Sequence, residues 1–415
     1  MIISMMKINI KSIQAMLAML VCVSLVSLTA CSDNDEPMEE VTYSWEFEEV
    51  NPSTPDFMDD KNKIESTFKA ALGATGTATS VTKQGTSETC DKEVLEACKR
   101  AFDSLKDEAW QGSYVFVVTN TTTGTPICKA SFSADDNNWN PFIIKTYKAS
   151  DLKFGDYYYS DGTWSDGGLR TLLFSDKSDK MEWANPITRW AEPIPKPENG
   201  KTVIGIVFYV GHHGDDLSDY TKSGIGHKEC HGYVVALTDV HNGYDDQLQW
   251  GHGPFGPIGK SIGTYNYEGS WSGYSDLLKI HEYVNNNKAW DMENFPAFLA
   301  CETYGNRVLN AYDWQHPLAA PNNSSGWFLP SSGQLKYLAN NRSALEACME
   351  SVRDNTPDGS SYKEYINGFR NRDSYWASTE NSKYTNSSEC VDFSQGFLRC
   401  TWKEVTNNVR AVLAF

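Results

Sequence analysis

The chain has 415 residues, of which 36 are basic and 54 acidic, giving a formal net charge of −18 at pH 7. A surface with this charge repels phosphate backbones, which argues against nucleic acid as a partner. The length allows more than one domain, each large enough for its own apolar core.

Residues 1–30 have the pattern of an export signal. Lys7 and Lys11 precede an apolar run of about 14 residues, which is shorter than the ~20 residues needed to span a bilayer. The next segment, Leu28-Thr29-Ala30-Cys31, resembles a bacterial lipobox, which implies cleavage before Cys31 and lipidation of that cysteine. An ordinary secretory signal followed by an incidental cysteine is the alternative.

Residues 31–41 form an acidic tether that resembles the export tag of Gram-negative surface lipoproteins. We therefore expect an outer-membrane protein that is lipid-anchored and exposed at the cell surface, with the lipid as its only contact with the membrane. A short solvated linker is the alternative interpretation of this charge run. Removal of the signal leaves 34 basic and 54 acidic side chains, a net charge near −20.

Residues 42–140 predict a small α+β domain. Its first apolar residues alternate with polar ones, which is typical of a half-buried strand. Two stretches then carry apolar residues at helical spacing, the first ending at Gly73 and the second beginning at Asp91. Segments 114–119 and 127–132 predict a hairpin.

The polar segment 134–141 predicts a domain boundary. Its carboxylate and amide oxygens are of the kind that binds calcium, but the segment lacks the spaced ligands and the glycine of a calcium loop. A linker is therefore favoured.

The remaining residues, 145–415, are expected to form one domain, with helices near 274–284 and 334–352. Glycine, proline, aspartate and serine accumulate at 176–197 and 211–228, which predicts insertions at those places.

Seven different motifs follow one another in a fixed order along this second domain. The motifs are Gly155-Asp156-Tyr157-Tyr158-Tyr159, Gly205-Ile206-Val207-Phe208-Tyr209, His231-Gly232-Tyr233, Gly326-Trp327-Phe328-Leu329-Pro330-Ser331-Ser332-Gly333-Gln334, Tyr375-Trp376-Ala377-Ser378-Thr379-Glu380, Val391-Asp392-Phe393-Ser394-Gln395-Gly396-Phe397 and Val409-Arg410-Ala411-Val412. Their order and spacing resemble the major paralogous (FISUMP-type) domains and the Lcl-type C-terminal domains, over roughly residues 150–415. The resemblance implies a C-type-lectin-like fold, with Trp327 and Phe397 in core motifs.

In lectin-like folds the long loop region between the second helix and the final hairpin is the usual ligand face. By location alone, the resemblance implies seven ligand-binding candidates: Arg372, Asp373, Trp376, Glu380, Lys383, Tyr384 and Asn386. The sequence lacks the Glu-Pro-Asn, Gln-Pro-Asp and Trp-Asn-Asp motifs of calcium-dependent sugar binding.

Eight cysteines follow Cys31, and an exported chain permits disulfides. If the final hairpin turns on three residues, Ser394 to Gly396, then Cys390 lies opposite Cys400 in a close cross-strand pair. A disulfide between Cys390 and Cys400 is expected from this register, and a shift of one residue would remove it.

Six histidines lie between positions 212 and 252, together with Asp215, Asp216, Cys230 and Asp239. Histidine and aspartate suit zinc, and His227 and His231 are the nearest to a ligand spacing. Those two residues share a face only on a helix, whereas Gly226 and Gly232 favour a loop and a strand. No metal and no cofactor are therefore expected.

Enzymes of the formylglycine-generating type share the lectin-like fold and use a cysteine pair near the C-terminus. The Arg-Gly-Gly-Ser and Asn-x-x-Glu-Trp-Cys patterns of that family are missing here, so no catalytic residue is predicted. The prediction is a lipid-anchored cell-surface protein that binds a glycan or a host or bacterial surface protein, as an adhesin or as a pilus-associated component. An enzyme on the same fold and a structural pilus subunit are the alternatives.

Overall fold

The computed structural model describes residues 39–52, 57–174, 187–240, 247–305, 318–360, 362–366, 368–370 and 374–415. They form an α+β protein, as predicted, and their contacts divide it into two units between Asn138 and Trp139. Among the described residues, no helix combines the length and the apolar character needed to cross a membrane.

The first unit packs two helices on an antiparallel sheet. The elements are β1 (Glu39–Pro52), α1 (Phe57–Leu72), β2 (Ser80–Gly85), α2 (Ser87–Leu105), β3 (Gly112–Asn120) and β4 (Thr125–Phe132). The sheet order is β2-β1-β3-β4-β5, where β5 (Asn138–Pro141) begins at the last residue of the unit. Gly73 ends α1 with a positive φ of 81°, as its position after the apolar stripe predicts. Thr86 begins α2 by accepting a hydrogen bond from the N–H of Thr89.

The second unit contains thirteen further strands and four α-helices among the described residues. They are β6 (Ile143–Thr146), β7 (Tyr157–Tyr159), β8 (Trp164–Ser165), β9 (Leu169–Phe174), β10 (Ile187–Trp190), β11 (Val203–Val210), β12 (Gly232–Ala236), β13 (Leu248–Gln249), α3 (Gly273–Asn286), α4 (Pro296–Glu302), α5 (Ser332–Asn340), α6 (Arg342–Asn355), β14 (Ser374–Glu380), β15 (Ser387–Asp392), β16 (Phe397–Trp402), β17 (Thr406–Asn407) and β18 (Val412–Ala414).

Four sheets organise the second unit, in the orders β10-β9-β6, β18-β12-β11-β7-β8, β13-β17 and β14-β15-β16. The five-stranded sheet is the core, and its strands β7, β12 and β18 are buried throughout. Arg410, just before β18, is fully buried and donates to Asp239, to the carbonyl of Ala236 and to the carbonyl of Gly368. The guanidinium therefore joins three chain segments that are distant in sequence.

The helix predicted at 334–352 is two helices. α5 begins with a capping box in which the side chains of Ser331 and Gln334 satisfy each other's backbone N–H groups. The break is at Asn341, which has non-helical backbone angles and whose side-chain amide donates to the carbonyl of Tyr337. A side chain that satisfies a backbone carbonyl in this way competes with continuation of the helix.

The final hairpin turns differently from the prediction. Asp392 lies opposite Phe397, so the loop has four residues. The carboxylate of Asp392 accepts from the N–H and the hydroxyl of Ser394, and Gly396 has a φ of 69°. The carboxylate and the left-handed glycine together favour this longer turn.

Two predictions fail because of this turn. Glu389, not Cys390, lies opposite Cys400, and both cysteines are free, with Cys390 buried and Cys400 exposed. The expected Cys390–Cys400 disulfide is therefore wrong, since adjacent positions on a strand point to opposite faces of the sheet. Phe397, expected in the core, is 62% exposed, whereas Trp327 is buried as predicted.

Thiol labelling of the native protein tests this hairpin. Iodoacetamide should modify Cys400 and leave the other seven described cysteines unmodified, because those seven are buried. Peptide mass spectrometry with and without denaturant gives the measurement, and Cys400→Ser is the control that removes the native label. A crosslinked peptide joining Cys390 to Cys400 would contradict the observed register.

Candidate functional site

The seven predicted ligand residues do not form one surface. Arg372 and Asp373 lie outside the described residues. Trp376 is fully buried, and its indole N–H donates to the carbonyl of Leu248 at 2.8 Å. Trp376 was therefore wrong as a ligand contact, because a buried and satisfied indole is a packing group.

Glu380 is also buried, with only 2% of its surface exposed. Both carboxylate oxygens accept hydrogen bonds from a loop that folds around them. The donors are the hydroxyl of Ser261 at 2.8 Å and the N–H groups of Ile262, Gly263 and Thr264 at 2.8, 2.9 and 3.1 Å. The prediction that Glu380 contacts a ligand is wrong, and its carboxylate instead fixes the loop 261–264.

Lys403 is the cation that pairs with Glu380. Its ammonium is buried, lies 2.5 Å from the carboxylate and donates to the carbonyls of Lys260 at 3.0 Å and Thr385 at 2.8 Å. Burial lowers the pKa of Lys403, and the charge of Glu380 opposes that effect. The three hydrogen bonds hold the loop at 260, the turn at 385 and the strand end at 403 in one arrangement.

The turn between β14 and β15 carries the remaining candidates. The side-chain oxygen of Asn381 accepts from the N–H groups of Lys383 and Tyr384 at 3.0 and 2.9 Å. The amide of Asn381 in turn donates to the carboxylate of Glu389 at 2.7 Å. This turn therefore has a defined backbone conformation although it is exposed.

Two aromatic side chains project from the fixed backbone of this region. Tyr384 is 59% exposed and Trp402 is 64% exposed. The N–H of Lys403 donates to the carbonyl of Asn386 at 3.1 Å, which ties the segment after Trp402 to the segment after Tyr384. We call Lys383, Tyr384, Asn386 and Trp402 the aromatic platform.

Three members of the aromatic platform were among the sequence candidates, and Trp402 was not. Its place beside the turn depends on the β15–β16 register, which sets Ser387 opposite Trp402. That register depends on the length of the turn at Asp392, and no periodicity in the sequence determines it.

A second candidate surface, which is concave, lies between the loop 267–271 and α5. It is a cleft of about 200 Å³ lined by Tyr267, Glu268, Gly269, Trp271, Gly333, Lys336, Tyr337 and Asn340. The helix approaches closely at Gly333, where a Cβ atom would lie 2.7 Å from the carbonyl oxygens of Gly269 and Ser270. Beside the cleft, His213 stacks on Trp271 with ring centroids 3.9 Å apart.

Of the six histidines in the 212–252 segment, His241 lies outside the described residues, and the other five do not converge on one site. His227 and His231 are exposed, and neither belongs to a group of three potential metal ligands in the part of the chain that the structure describes. The one such group found there joins His212, Asp216 and Cys230. Sequence spacing missed it because Cys230 comes from a distant point on the same insertion.

Three buried carboxyl groups have raised pKa values, in each case because burial disfavours the charged form. The pKa is about 6 for Asp156, about 7 for Asp276 and about 7 for Glu389. Asp276 accepts from the N–H of Tyr265 and the hydroxyl of Ser378, so protein groups occupy both of its oxygens.

Comparisons with known proteins add one structural similarity. No protein-family model and no curated protein matches the chain. A solved structure of a fimbrial protein from Bacteroides ovatus is similar, with 17% sequence identity and a TM-score of 0.41. The match covers 73% of this chain and 57% of that chain, so this chain spans less than two thirds of its length. The residues described above therefore carry the functional proposal.

Removal of one partner of the buried ion pair should destabilise the fold. Lys403→Met leaves the Glu380 carboxylate buried without a cation, and we expect a loss of about 3 kcal/mol in the free energy of unfolding. The double variant Glu380→Gln/Lys403→Met should recover part of that loss, because no unpaired charge remains. Urea denaturation gives both values.

The control for this pair is Lys363→Met. Lys363 pairs with Asp358, which is 99% exposed, so the substitution should leave the denaturation midpoint unchanged. If Lys403→Met behaved like this control, the buried pair would have no structural role.

The raised pKa of Glu389 makes stability depend on pH. The folded protein holds this proton more tightly than the unfolded chain, so the contribution to stability is full below about pH 4.5 and is lost as pH rises towards 7. Glu389→Gln does not ionise. It should match the native protein at pH 4 and exceed it by roughly 3 kcal/mol at pH 8 in thermal or urea unfolding, since one pKa unit corresponds to about 1.4 kcal/mol. The exposed Glu293→Gln variant is the control, and an equal gain there would rule out the burial effect.

Proposed function

We propose that this chain is a lipid-anchored cell-surface protein of adhesin type, attached through Cys31, whose second unit captures a glycan on the aromatic platform. The observation that carries the proposal is the pair of exposed rings, Tyr384 and Trp402, on two segments that one buried ion pair immobilises. Exposed aromatic rings on rigid backbone are suited to ligand capture, since little entropy is lost on binding.

The chemistry of the aromatic platform favours a sugar. Flat aromatic faces pack against the apolar faces of pyranose rings, and polar groups at the rim bind hydroxyl groups. Lys383 and Asn386 are exposed beside Tyr384 and supply a cationic donor and an amide. The net charge of −18 further favours neutral or cationic ligands over polyanions.

The order of elements supports a lectin-like scaffold. Helices α3 and α5 precede the sheet β14-β15-β16, and β18 returns to pair with β12 at the edge of the core sheet. Lys383, Tyr384 and Asn386 lie between the second helix and the final hairpin, the region that the family resemblance assigns to ligands, and Trp402 lies at the end of that hairpin. A pilus-associated role is part of the same proposal.

A glycan array, followed by affinity measurement on the best hit, tests the proposal. Tyr384→Ala and Trp402→Ala should each raise the dissociation constant roughly threefold to tenfold, the range expected for loss of one aromatic contact. Lys383→Ala/Tyr384→Ala should weaken capture more strongly. None of these variants should lower the melting temperature, because the side chains are exposed.

Matched variants separate the alternatives. Tyr365→Ala removes an exposed tyrosine elsewhere and should leave capture unchanged. Capture that survives loss of the aromatic platform but fails in Tyr267→Ala would place the site in the cleft. Saturable binding to surface proteins without glycan signal would indicate a protein ligand. Turnover of a bound glycan would indicate an enzyme, and co-purification with a fimbrial shaft without either signal would indicate a structural subunit.

A further inference from the structure

Three potential metal ligands meet at the insertion after β11. His212 and Asp216 lie on the loop that follows this strand, and Cys230 lies two residues before β12. One nitrogen, one carboxylate oxygen and one sulfur from these residues all lie within 4.8 Å of one another. Asp216 and Cys230 are 4% and 5% exposed, and His212 is partly exposed.

The imidazole of His212 has the orientation of a metal ligand. Its Nε2 lies 3.0 Å from the backbone carbonyl of Asp216, so this nitrogen carries the proton and donates. The other nitrogen, Nδ1, is then unprotonated. It accepts a long hydrogen bond from the backbone N–H of Cys230 at 3.5 Å, and the sulfur of Cys230 lies 3.6 Å from it. Metal-bound histidines commonly donate their second N–H to a carbonyl or carboxylate in this way.

The distance between nitrogen and sulfur fits a shared zinc ion. Zn–N bonds of about 2.0–2.1 Å and Zn–S bonds of about 2.3 Å, at a tetrahedral angle, separate the two ligand atoms by roughly 3.6 Å. The observed separation of Nδ1 and Sγ is 3.6 Å. The separation of these two atoms therefore matches that of two ligands of one zinc ion.

The third ligand is held in place by neighbouring donors. The hydroxyl groups of Tyr220 and Tyr233 donate to Oδ2 of Asp216 at 2.8 and 2.7 Å. The N–H of Ser218 donates to Oδ1 at 2.9 Å, which leaves that oxygen a second lone pair. A carboxylate fixed by such donors is the arrangement found around bound metals.

We propose that His212, Asp216 and Cys230 bind one Zn²⁺ or a cation of similar softness, with a fourth position open towards the exposed side of His212. Nitrogen, sulfur and oxygen ligands in this combination select a borderline-soft divalent cation over calcium or magnesium. Binding takes the proton from the Cys230 thiol into solvent, and the thiolate sulfur then bonds to the metal.

The site would act as a clamp. It joins the loop after β11 to the start of β12, and the same loop carries His213, which stacks on Trp271 beside the cleft. Loss of the metal should therefore loosen that loop. This role is separate from the aromatic platform and does not depend on it.

Cobalt titration of the purified, reduced protein tests the proposal. Co²⁺ should bind with one equivalent per chain and give the thiolate-to-cobalt charge-transfer band and the visible bands of tetrahedral coordination, and Zn²⁺ should remove them. Zn²⁺ should also raise the melting temperature and protect Cys230 from alkylation.

Variants separate this site from other thiols and histidines. Cys230→Ser and His212→Gln should each abolish the charge-transfer band, while Cys400→Ser and His231→Gln, at exposed positions, should retain it. Melting temperatures without metal show whether each variant is folded, and His212→Gln provides the test if Cys230→Ser is not. Absence of the band in the native protein, or its survival in His212→Gln, would overturn the proposal. Variants of the aromatic platform should lose glycan capture but keep the charge-transfer band, because the metal site does not depend on the platform.

Discussion

The buried pair of Glu380 and Lys403 is the interaction on which the exposed surface of the second unit depends. Neither group has significant access to solvent, and each is satisfied by backbone groups of loops that have no regular structure of their own. Two buried charges are costly unless paired and fully hydrogen-bonded. The buried pair therefore stabilises one arrangement of these loops. Because Tyr384 and Trp402 are next to the fixed segments, their backbone positions are fixed as well.

Local patterns predicted much of the fold. The apolar spacing before Gly73 and the capping residues Ser331 and Gln334 identify helix ends because each signal acts within a few residues. The motif around Arg410 leads into the last strand, β18, but the partner of its guanidinium, the partly buried Asp239, comes from far away in the chain. Helix and strand types were thus accessible from sequence, whereas the partners of charged groups were not.

The errors share a physical cause. Trp376 and Glu380 lie in a polar stretch that predicts a loop, but tertiary contacts bury both side chains. The pairing of Cys390 depends on a turn that is longer by one residue than predicted, and one residue reverses the face of every side chain in the strand. The cluster of His212, Asp216 and Cys230 arises from a loop that returns to its own start, which no fixed spacing describes.

The position of β18 has a consequence for how the protein folds. β12 pairs with β18 through contacts such as Tyr233 with Ala414, whereas β3 and β4 of the first unit meet across the short turn from Asn120 to Thr125. The loop between β12 and β18 is much longer than this turn. Closing such a long loop before any pairing energy is gained slows folding. During synthesis the first unit can reach its native state early. In the second unit, β12 remains an unpaired edge strand of the core sheet until β18 has been synthesised. The need for a chaperone is therefore greatest in the time between the synthesis of β12 and that of β18.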